Sequence, residues 1–179
     1  ADALRRLTLY RLRADVQIQP TPLHAQRGLG AAPEGAFPDP RHPDLGWRFW
    51  SDRPGAEPTI DWDAIRVRHV IPESVVELLP DDSYILEAGF ERLHGVDFRK
   101  GCYVGQEVTA RMKHKTELRK GLVRVAIIGA APVGTAVLSD GKPVGTLFTQ
   151  SGGFAIAHLR LDRADGTLTA NQAQVTVAE

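Results

Sequence analysis

The chain has 179 residues, enough for one or two domains, and its 22 basic and 22 acidic residues give a formal net charge of zero. This balance excludes a global field that would draw the protein to nucleic acid or to a membrane surface, and no apolar run approaches the roughly 20 residues of a membrane span. A single cysteine excludes an intrachain disulfide and fits a reducing compartment.

The predicted elements begin with a helix and a strand. Leu4, Leu7 and Tyr10 follow helical spacing, and residues 12–18 alternate apolar and polar side chains, which predicts a half-buried strand. Such a strand needs a partner. The chain lacks an initiator methionine and opens with a pattern typical of the middle of a domain. We therefore expect that an N-terminal segment is missing, and that it or a later strand supplies the pairing.

Residues 23–60 are rich in glycine, proline and aspartate and are predicted to form turns, except for a short strand at residues 45–50. Arg48 lies in this strand close to Trp47 and Trp50. Its guanidinium could bind an anion or stack on a flat ligand. Packing along the aromatic faces is the structural alternative, and both interpretations stay open.

Three helical segments are predicted to follow. Asp61 is a suitable N-cap for a helix that runs to His69, and Pro72 opens a short helical turn. Residues 84–93 carry an apolar stripe at helical spacing, with Glu87 near its start. We expect His69 to be a partly buried structural residue, because no cysteine or acidic residue stands at metal-ligand spacing beside it.

The only cysteine lies in residues 100–107, Lys-Gly-Cys-Tyr-Val-Gly-Gln-Glu. A helix is predicted to begin at residue 103 or 105, which places the Cys102 sulfur near a helix N-terminus. Unpaired N–H groups there, together with the Lys100 ammonium, would favour a reactive thiolate. A buried cysteine that acts as a small hydrophobe is the alternative. The apolar stripe of this helix consists of Val104, Val108 and Met112.

Basic residues are concentrated from the cysteine segment to residue 124. They predict a local positive patch on a neutral chain, suited to an anionic ligand tail, a phosphate backbone or an acidic protein. A solvated helix face is the structural alternative. The basic members are Arg99, Lys100, Arg111, Lys113, Lys115, Arg119, Lys120 and Arg124, against Asp97, Glu107 and Glu117.

From Gly121 onward the pattern changes to short strands joined by hairpin turns, which predicts a small antiparallel barrel. Hairpins are expected at Asp140-Gly141 and Asp165-Gly166. We place the domain boundary here, with residues 1–120 in an α+β domain and residues 121–179 in the barrel. Strands are predicted at residues 122–128, 144–149, 154–159 and 174–177.

The cysteine segment, followed by Val-Thr-Ala-Arg111, resembles the signature of the YgfZ family. Similar stretches occur in the expected order at residues 10–15, 39–41, 45–48 and 86–88, so the resemblance covers most of the chain. YgfZ proteins are folate-binding relatives of the glycine-cleavage aminomethyltransferase, with a role in assembling or repairing iron–sulfur clusters. The resemblance implies an α+β fold, in which a mixed α/β domain precedes a small antiparallel β-barrel. It also implies an accessory factor rather than a transferase.

The resemblance assigns a role to the cysteine. Cys102 would be the functional thiolate and a ligand of an iron–sulfur cluster, with Lys100, Gln106 and Glu107 positioning and tuning the sulfur. One cysteine cannot complete a four-ligand set, so the cluster would be transient and shared with an iron–sulfur carrier or client protein.

The resemblance also assigns folate contacts. Glu87 would accept hydrogen bonds from the pterin of tetrahydrofolate, and Trp47, Arg48 and Arg111 would be further contacts of this cofactor. A glutamate that stabilises its own helix N-terminus is the structural alternative for Glu87.

Two other function classes stay open. A tetrahydrofolate-dependent aminomethyltransferase fits residues 86–89 and the barrel, but that family has an aromatic residue in place of Cys102 and its catalytic aspartate in the N-terminal segment. A tRNA-binding or tRNA-modification accessory protein would use the basic patch, although no RNA-binding motif supports it. We expect a cytoplasmic protein, or one of the mitochondrial matrix if the source is eukaryotic.

Overall fold

The computed structural model describes residues 2–114 and 118–178. The fold is α+β with a closed antiparallel barrel at its C-terminal end, as predicted. Before the barrel come α1 (Asp2–Arg11), β1 (His24–Gly28), β2 (Phe37–Pro38), β3 (Trp47–Ser51), α2 (Trp62–His69) and α3 (Gln106–His114). The barrel consists of β4 (Lys120–Ile128), β5 (Thr135–Ser139), β6 (Lys142–Ser151), β7 (Phe154–Arg160), β8 (Leu168–Ala170) and β9 (Ala173–Val177).

The barrel closes in the order β4-β7-β6-β5-β8-β9, with β9 pairing back onto β4. Asp140 and Gly141 have positive φ angles of 48° and 76° and form the predicted hairpin between β5 and β6. The hairpin predicted at Asp165-Gly166 is wrong. Because β4 and β6 already occupy both edges of β7, the chain must cross to β8, and the tight hairpin falls at Asn171 instead.

The N-terminal segment is helical where helical spacing predicts it, but the strand predicted at residues 12–18 is wrong. After α1 the chain has no regular structure until His24. Apolar side chains at Leu12 and Val16 stay exposed, and no described strand pairs with this segment. Alternation alone therefore does not make a strand here, because the hydrogen-bonding partner is missing.

Residues 23–60, predicted mostly as turns, hold a small antiparallel sheet of order β1-β3-β2. The strand predicted at 45–50 is present as β3. Its partner β1, His-Ala-Gln-Arg-Gly, lacks an apolar alternation and so gave no strand signal. Gly28 in β1 leaves room for the Trp47 ring, since a Cβ there would lie 2.3 Å from Trp47 Cζ2.

Helix α2 connects this sheet to the barrel. Its predicted N-cap is confirmed: Asp61 Oδ1 accepts a hydrogen bond of 2.8 Å from the Ala64 N–H. Val67 packs with Phe148 and Ile156 of the barrel, which fixes the helix on the barrel surface. None of the helices within residues 2–114 and 118–178 has the length and apolar character that crossing a bilayer requires.

The helix predicted at residues 84–93 is wrong. The short helical turn predicted after Pro72 is present as a turn in which the Glu77 N–H donates to the Glu73 carbonyl at 3.1 Å, closed by a bridge between Ser74 and Leu78. Residues 84–93 form successive turns whose hydrogen bonds span three, four or five residues, and Gly89 has a φ of 75°. This segment attaches to β4 through the Leu122 N–H, which donates to the Glu87 carbonyl at 2.8 Å. Contact with the barrel thus replaces helical hydrogen bonds.

Candidate functional site

Cys102 lies on the surface loop before α3, and its side chain is exposed. The alternative of a buried structural cysteine is therefore wrong. The helix begins at Gln106, later than predicted, so the sulfur lies before the first helical turn rather than within it. Gly101 and Gly105 flank the cysteine with φ angles of 90° and 86°, and a Cβ at either glycine would meet nothing within 4 Å. The thiol is open to an approaching partner.

The residues expected to tune the sulfur have other contacts in this structure. Lys100 Nζ lies 4.9 Å from the centre of the Tyr103 ring, a cation–π distance. Glu107 pairs with Arg111 one turn later at 2.5 Å, on the exposed face of α3. Arg111, expected as a folate contact, is therefore occupied by this surface ion pair. Gln106 is the first residue of the helix and is half-buried.

The apolar stripe predicted to bury α3 faces solvent instead. Val104 is 85% exposed and precedes the helix, and Val108 is 49% exposed. The buried residue of α3 is Thr109. An exposed apolar surface therefore lies beside the Cys102 thiol.

Ion pairs neutralise part of the predicted basic patch. Lys113 pairs with Glu91 at 2.5 Å, and Arg99 lies 3.7 Å from Asp97. With Arg111 also paired, three of its basic members have acidic partners. Lys115 and Glu117 lie outside the described residues.

The largest concentration of positive charge near the predicted folate residues lines a cavity of about 400 Å3, here called the arginine cavity. Its apolar wall includes Phe90 and Leu93, and Glu73 also lines it. This volume is within the usual range of small-molecule sites, about 300–1,000 Å3. The four arginines that line it are Arg27, Arg41, Arg48 and Arg66.

Asp39 holds two of these arginines in place through hydrogen bonds. Its buried carboxylate accepts hydrogen bonds from Arg41 Nε at 3.0 Å and Arg48 Nε at 2.6 Å. Burial alone would raise the pKa of Asp39, but the Arg41 side chain and backbone and the Arg48 guanidinium hold that pKa at about 2. Arg48, predicted as a folate contact, is thus fixed in the cavity wall by a charge-assisted bond.

Arg27 is the arginine of the cavity that has no ion pair within the described residues. Its guanidinium stacks over the Trp62 ring at 4.1 Å. Burial lowers its pKa, and the charge of Glu73 opposes that effect. An anion in the cavity would meet this guanidinium without displacing a carboxylate.

Glu87 lies elsewhere, against the barrel. Its Oε2 atom is 3.0 Å from His158 Nε2 of β7. The two residues line a separate cavity of about 80 Å3, which is too small for a pterin. The residues expected to hold folate are therefore not brought together: Arg48 and Glu87 line different cavities, and the Trp47 ring packs on Gly28.

A buried ion pair that the sequence did not reveal joins α2 to the barrel. Arg66 donates to Glu77, whose side chain is fully buried. The Glu77 carboxylate also accepts from the Thr149 hydroxyl and N–H of β6 and from the Glu73 N–H. Every polar group of this pair is thus satisfied, and the pair fixes the wall of the arginine cavity to the barrel.

His69 is half-buried, as predicted, but an acidic residue does stand beside it. Asp44 Oδ2 lies 2.7 Å from His69 Nε2, a bond that lowers the pKa of Asp44. The His42 ring stacks on His69 with centroids 3.7 Å apart and planes 24° apart. Donor atoms of all three residues lie within 4.8 Å of one another. In this structure the three residues form a hydrogen-bonded stack.

Comparison with known proteins defines the class of the C-terminal unit. Residues 119–179 match the family model described as CAF17, C-terminal beta-barrel domain. The barrel strands β4 to β9 fall within this range.

The particular relatives carry the name IBA57. The chain is 30% identical to the iron-sulfur cluster assembly factor IBA57, mitochondrial, of Homo sapiens over 97% of this chain and 58% of that protein. The Mus musculus protein of the same name is 30% identical over 92% of this chain and 54% of that protein. A homologue from Neurospora crassa is 37% identical over 54% of this chain and 25% of its own length. The chain thus spans little more than half of the human and mouse relatives. These IBA57 relatives are close to the predicted YgfZ family but not identical with it.

Proposed function

We propose that this chain acts as an accessory factor in iron–sulfur cluster assembly and that Cys102 is its functional thiol. The observation that carries the proposal is the exposed position of Cys102 on an open loop directly before α3. Support comes from the similarity, over 97% of the chain, to a protein named as an iron-sulfur cluster assembly factor. The compartment would be the mitochondrial matrix if the source is eukaryotic, because these relatives are named as mitochondrial proteins.

The chemistry expected of the site is to hold a cluster as cargo together with a partner. One thiolate supplies one ligand, and the carrier or client protein supplies the others. The exposed side chains of Val104 and Val108 would be covered by that partner, which gives the contact an apolar component beside the metal–sulfur bond. No large cavity is needed, because the cluster would lie between two surfaces.

Anaerobic iron–sulfur reconstitution with a candidate carrier protein tests this proposal. The wild-type chain is expected to form a complex with visible cluster absorption, and Cys102→Ser is expected to lose at least nine-tenths of it, because serine is a poor ligand for iron in such clusters. Val133→Ser keeps the thiol and changes an exposed valine between β4 and β5, outside the proposed contact, so it serves as the matched control. Equal absorption from wild type and Cys102→Ser, each isolated with the carrier, would reject the role of this cysteine.

We further propose that tetrahydrofolate, if this chain binds it, places its carboxylate tail in the arginine cavity. Guanidinium groups bind carboxylates in paired, charge-assisted hydrogen bonds, and Arg27 is free of an acidic partner within the described residues. Phe90 and Leu93 offer an apolar wall to the ring system. A folate site at Glu87 is less favourable, because the Glu87 carboxylate is hydrogen-bonded to His158 in a cavity of about 80 Å3.

Calorimetric titration of tetrahydrofolate into three variants separates these locations. Arg27→Gln is expected to weaken binding about tenfold or more, since one charge-assisted bond contributes about 1.5–3 kcal/mol. Glu87→Gln should leave the dissociation constant within about twofold of wild type, and Arg13→Gln, an exposed arginine outside the cavity, is the matched control. Loss of binding in Glu87→Gln with normal binding in Arg27→Gln would move the folate site to Glu87.

A further inference from the structure

A second basic depression lies between the barrel and the rest of the chain, and none of the roles above uses it. Its volume is about 610 Å3, and we call it the interdomain groove. Segments distant in sequence form its walls: residues 41–43, 68–70, 92–94, 122–124 and 177–178. Only Arg41 is shared with the arginine cavity.

The groove carries cationic side chains. None of its lining residues within the described parts of the chain is acidic. Asp39 and Asp44 lie close to the groove, but they are already hydrogen-bonded to Arg41 and His69. The groove is lined by four guanidinium groups and three imidazoles, from Arg41, Arg68, Arg92, Arg124, His42, His69 and His94.

Three of the four guanidinium groups have no carboxylate partner within the described residues. Arg92 donates to the backbone carbonyls of His69 at 2.8 Å and Val70 at 2.9 Å. Arg124 lies over the Phe154 ring at 4.2 Å, and its Nε atom is buried without an acceptor. The side chain of the exposed Arg68 has no hydrogen-bond partner within the described residues. Arg124 is half-buried, and a partly buried cation without a counter-charge is costly, so a bound anion would offset that cost.

The remaining surface of the groove indicates what else the anion carries. Val70, Leu122, Val123 and Val177 line it and offer a carbon surface. The stacked rings of His42 and His69 add a flat aromatic element to one wall. A ligand that matches both the charge and this surface has a compact, multiply charged group attached to a flat organic part.

We propose that the interdomain groove binds a phosphate-bearing small molecule of the nucleotide type, with its phosphates on Arg68, Arg92 and Arg124. A phosphate group presents three oxygens and up to two charges in a small volume, which suits guanidinium donors that line one groove from different segments. The organic part packs against the aliphatic residues and the imidazole stack. The volume of the groove lies within the range of small-molecule sites, about 300–1,000 Å3.

Titration of ADP into the purified chain, in a buffer of low ionic strength without phosphate or sulfate, tests the proposal. Wild type is expected to bind ADP more tightly than inorganic pyrophosphate, because only ADP has an organic part. The double variant Arg68→Gln/Arg124→Gln is expected to bind ADP at least tenfold more weakly. Arg163→Gln removes an exposed arginine outside the groove and is the matched control. Thermal unfolding of each variant verifies that it is folded.

Other outcomes overturn the proposal and identify its replacement. Absence of ADP binding by wild type, or equal ADP affinity in wild type and the double variant, rejects the groove as a nucleotide site. Tighter binding of a hexaglutamate peptide than of ADP assigns the groove to an acidic protein segment. An affinity for single-stranded RNA that rises with its length assigns it to a nucleic-acid backbone. Normal ADP binding by Arg27→Gln and Cys102→Ser would separate this site from the folate and cluster proposals.

Discussion

Replacing Glu77 with glutamine is expected to lower the free energy of unfolding by about 3 kcal/mol. The substitution keeps the size of the side chain but removes the buried charge that faces Arg66, whose own side chain is 5% exposed. The other acidic partners of Arg66, Asp63 and Glu73, have side chains that are more than half exposed, so solvent weakens their compensation. Arg66 would then be a buried cation with only partial neutralisation.

The matched control is Glu73→Gln, because Glu73 contacts the same arginine from the surface. Its expected cost is below about 1 kcal/mol, the usual range for an exposed ion pair. Urea denaturation followed by far-ultraviolet circular dichroism measures both variants. Similar losses in the two variants would mean that burial of Glu77 is not what makes the pair important. Because Glu77 also binds Thr149, a large loss is expected to loosen α2 from the barrel.

Replacing Asp39 with asparagine is expected to cost about 2 kcal/mol at neutral pH. Asp39 is buried and holds Arg41 and Arg48 through side-chain hydrogen bonds, and its pKa is lowered from 3.8 to about 2. A downward shift of this size corresponds to about 2 kcal/mol of stability in the ionised state. Asparagine has one acceptor oxygen and an amide that would face a guanidinium.

The pH dependence of this effect has a defined sign. Because the folded-state pKa lies below the unfolded-state value, the stabilisation is fully present above about pH 4 and is lost as the pH falls towards 2. Denaturation midpoints of wild type and Asp39→Asn, measured from pH 7 to pH 2, should therefore converge at the acid end. A constant difference across this range would show that ionisation of Asp39 is not responsible. Asp52→Asn, an exposed aspartate, is the control for a general charge effect.

The barrel could be predicted from sequence because its signals are local. Alternating strands and the Asp140-Gly141 turn lie next to one another in the chain, so short-range patterns suffice. The hairpin predicted at Asp165-Gly166 is wrong because β8 does not pair with β7, the strand before it in the chain. It pairs with β5 and β9. Likewise, residues 84–93 have a helical apolar pattern, but their backbone instead bonds to β4, a contact 35 residues further along the chain.

The candidate site, too, could be predicted only where its signals are local in the sequence. Exposure of Cys102 follows from its glycine neighbours, and the sequence motif was sufficient to single it out. The arginine cavity and the interdomain groove were missed, because each collects arginines from segments that only the tertiary fold brings together. Part of the cluster of basic residues that is visible in the sequence is instead paired with acidic neighbours. Spacing along the chain reports local charge, and it carries no information on which charges are neutralised in space.

Closure of the barrel restricts how another protein can attach to this one. Pairing of β9 with β4 leaves the barrel without an open edge strand, so no extended segment of a partner can extend its hydrogen-bond ladder. In the small sheet, β1 is an outer strand that pairs with β3 on one side. The two-residue strand β2 is the other outer strand. A partner that recognises this protein by strand addition would therefore join this sheet at β1 or β2, whereas a partner of the barrel would contact its side chains and connecting loops.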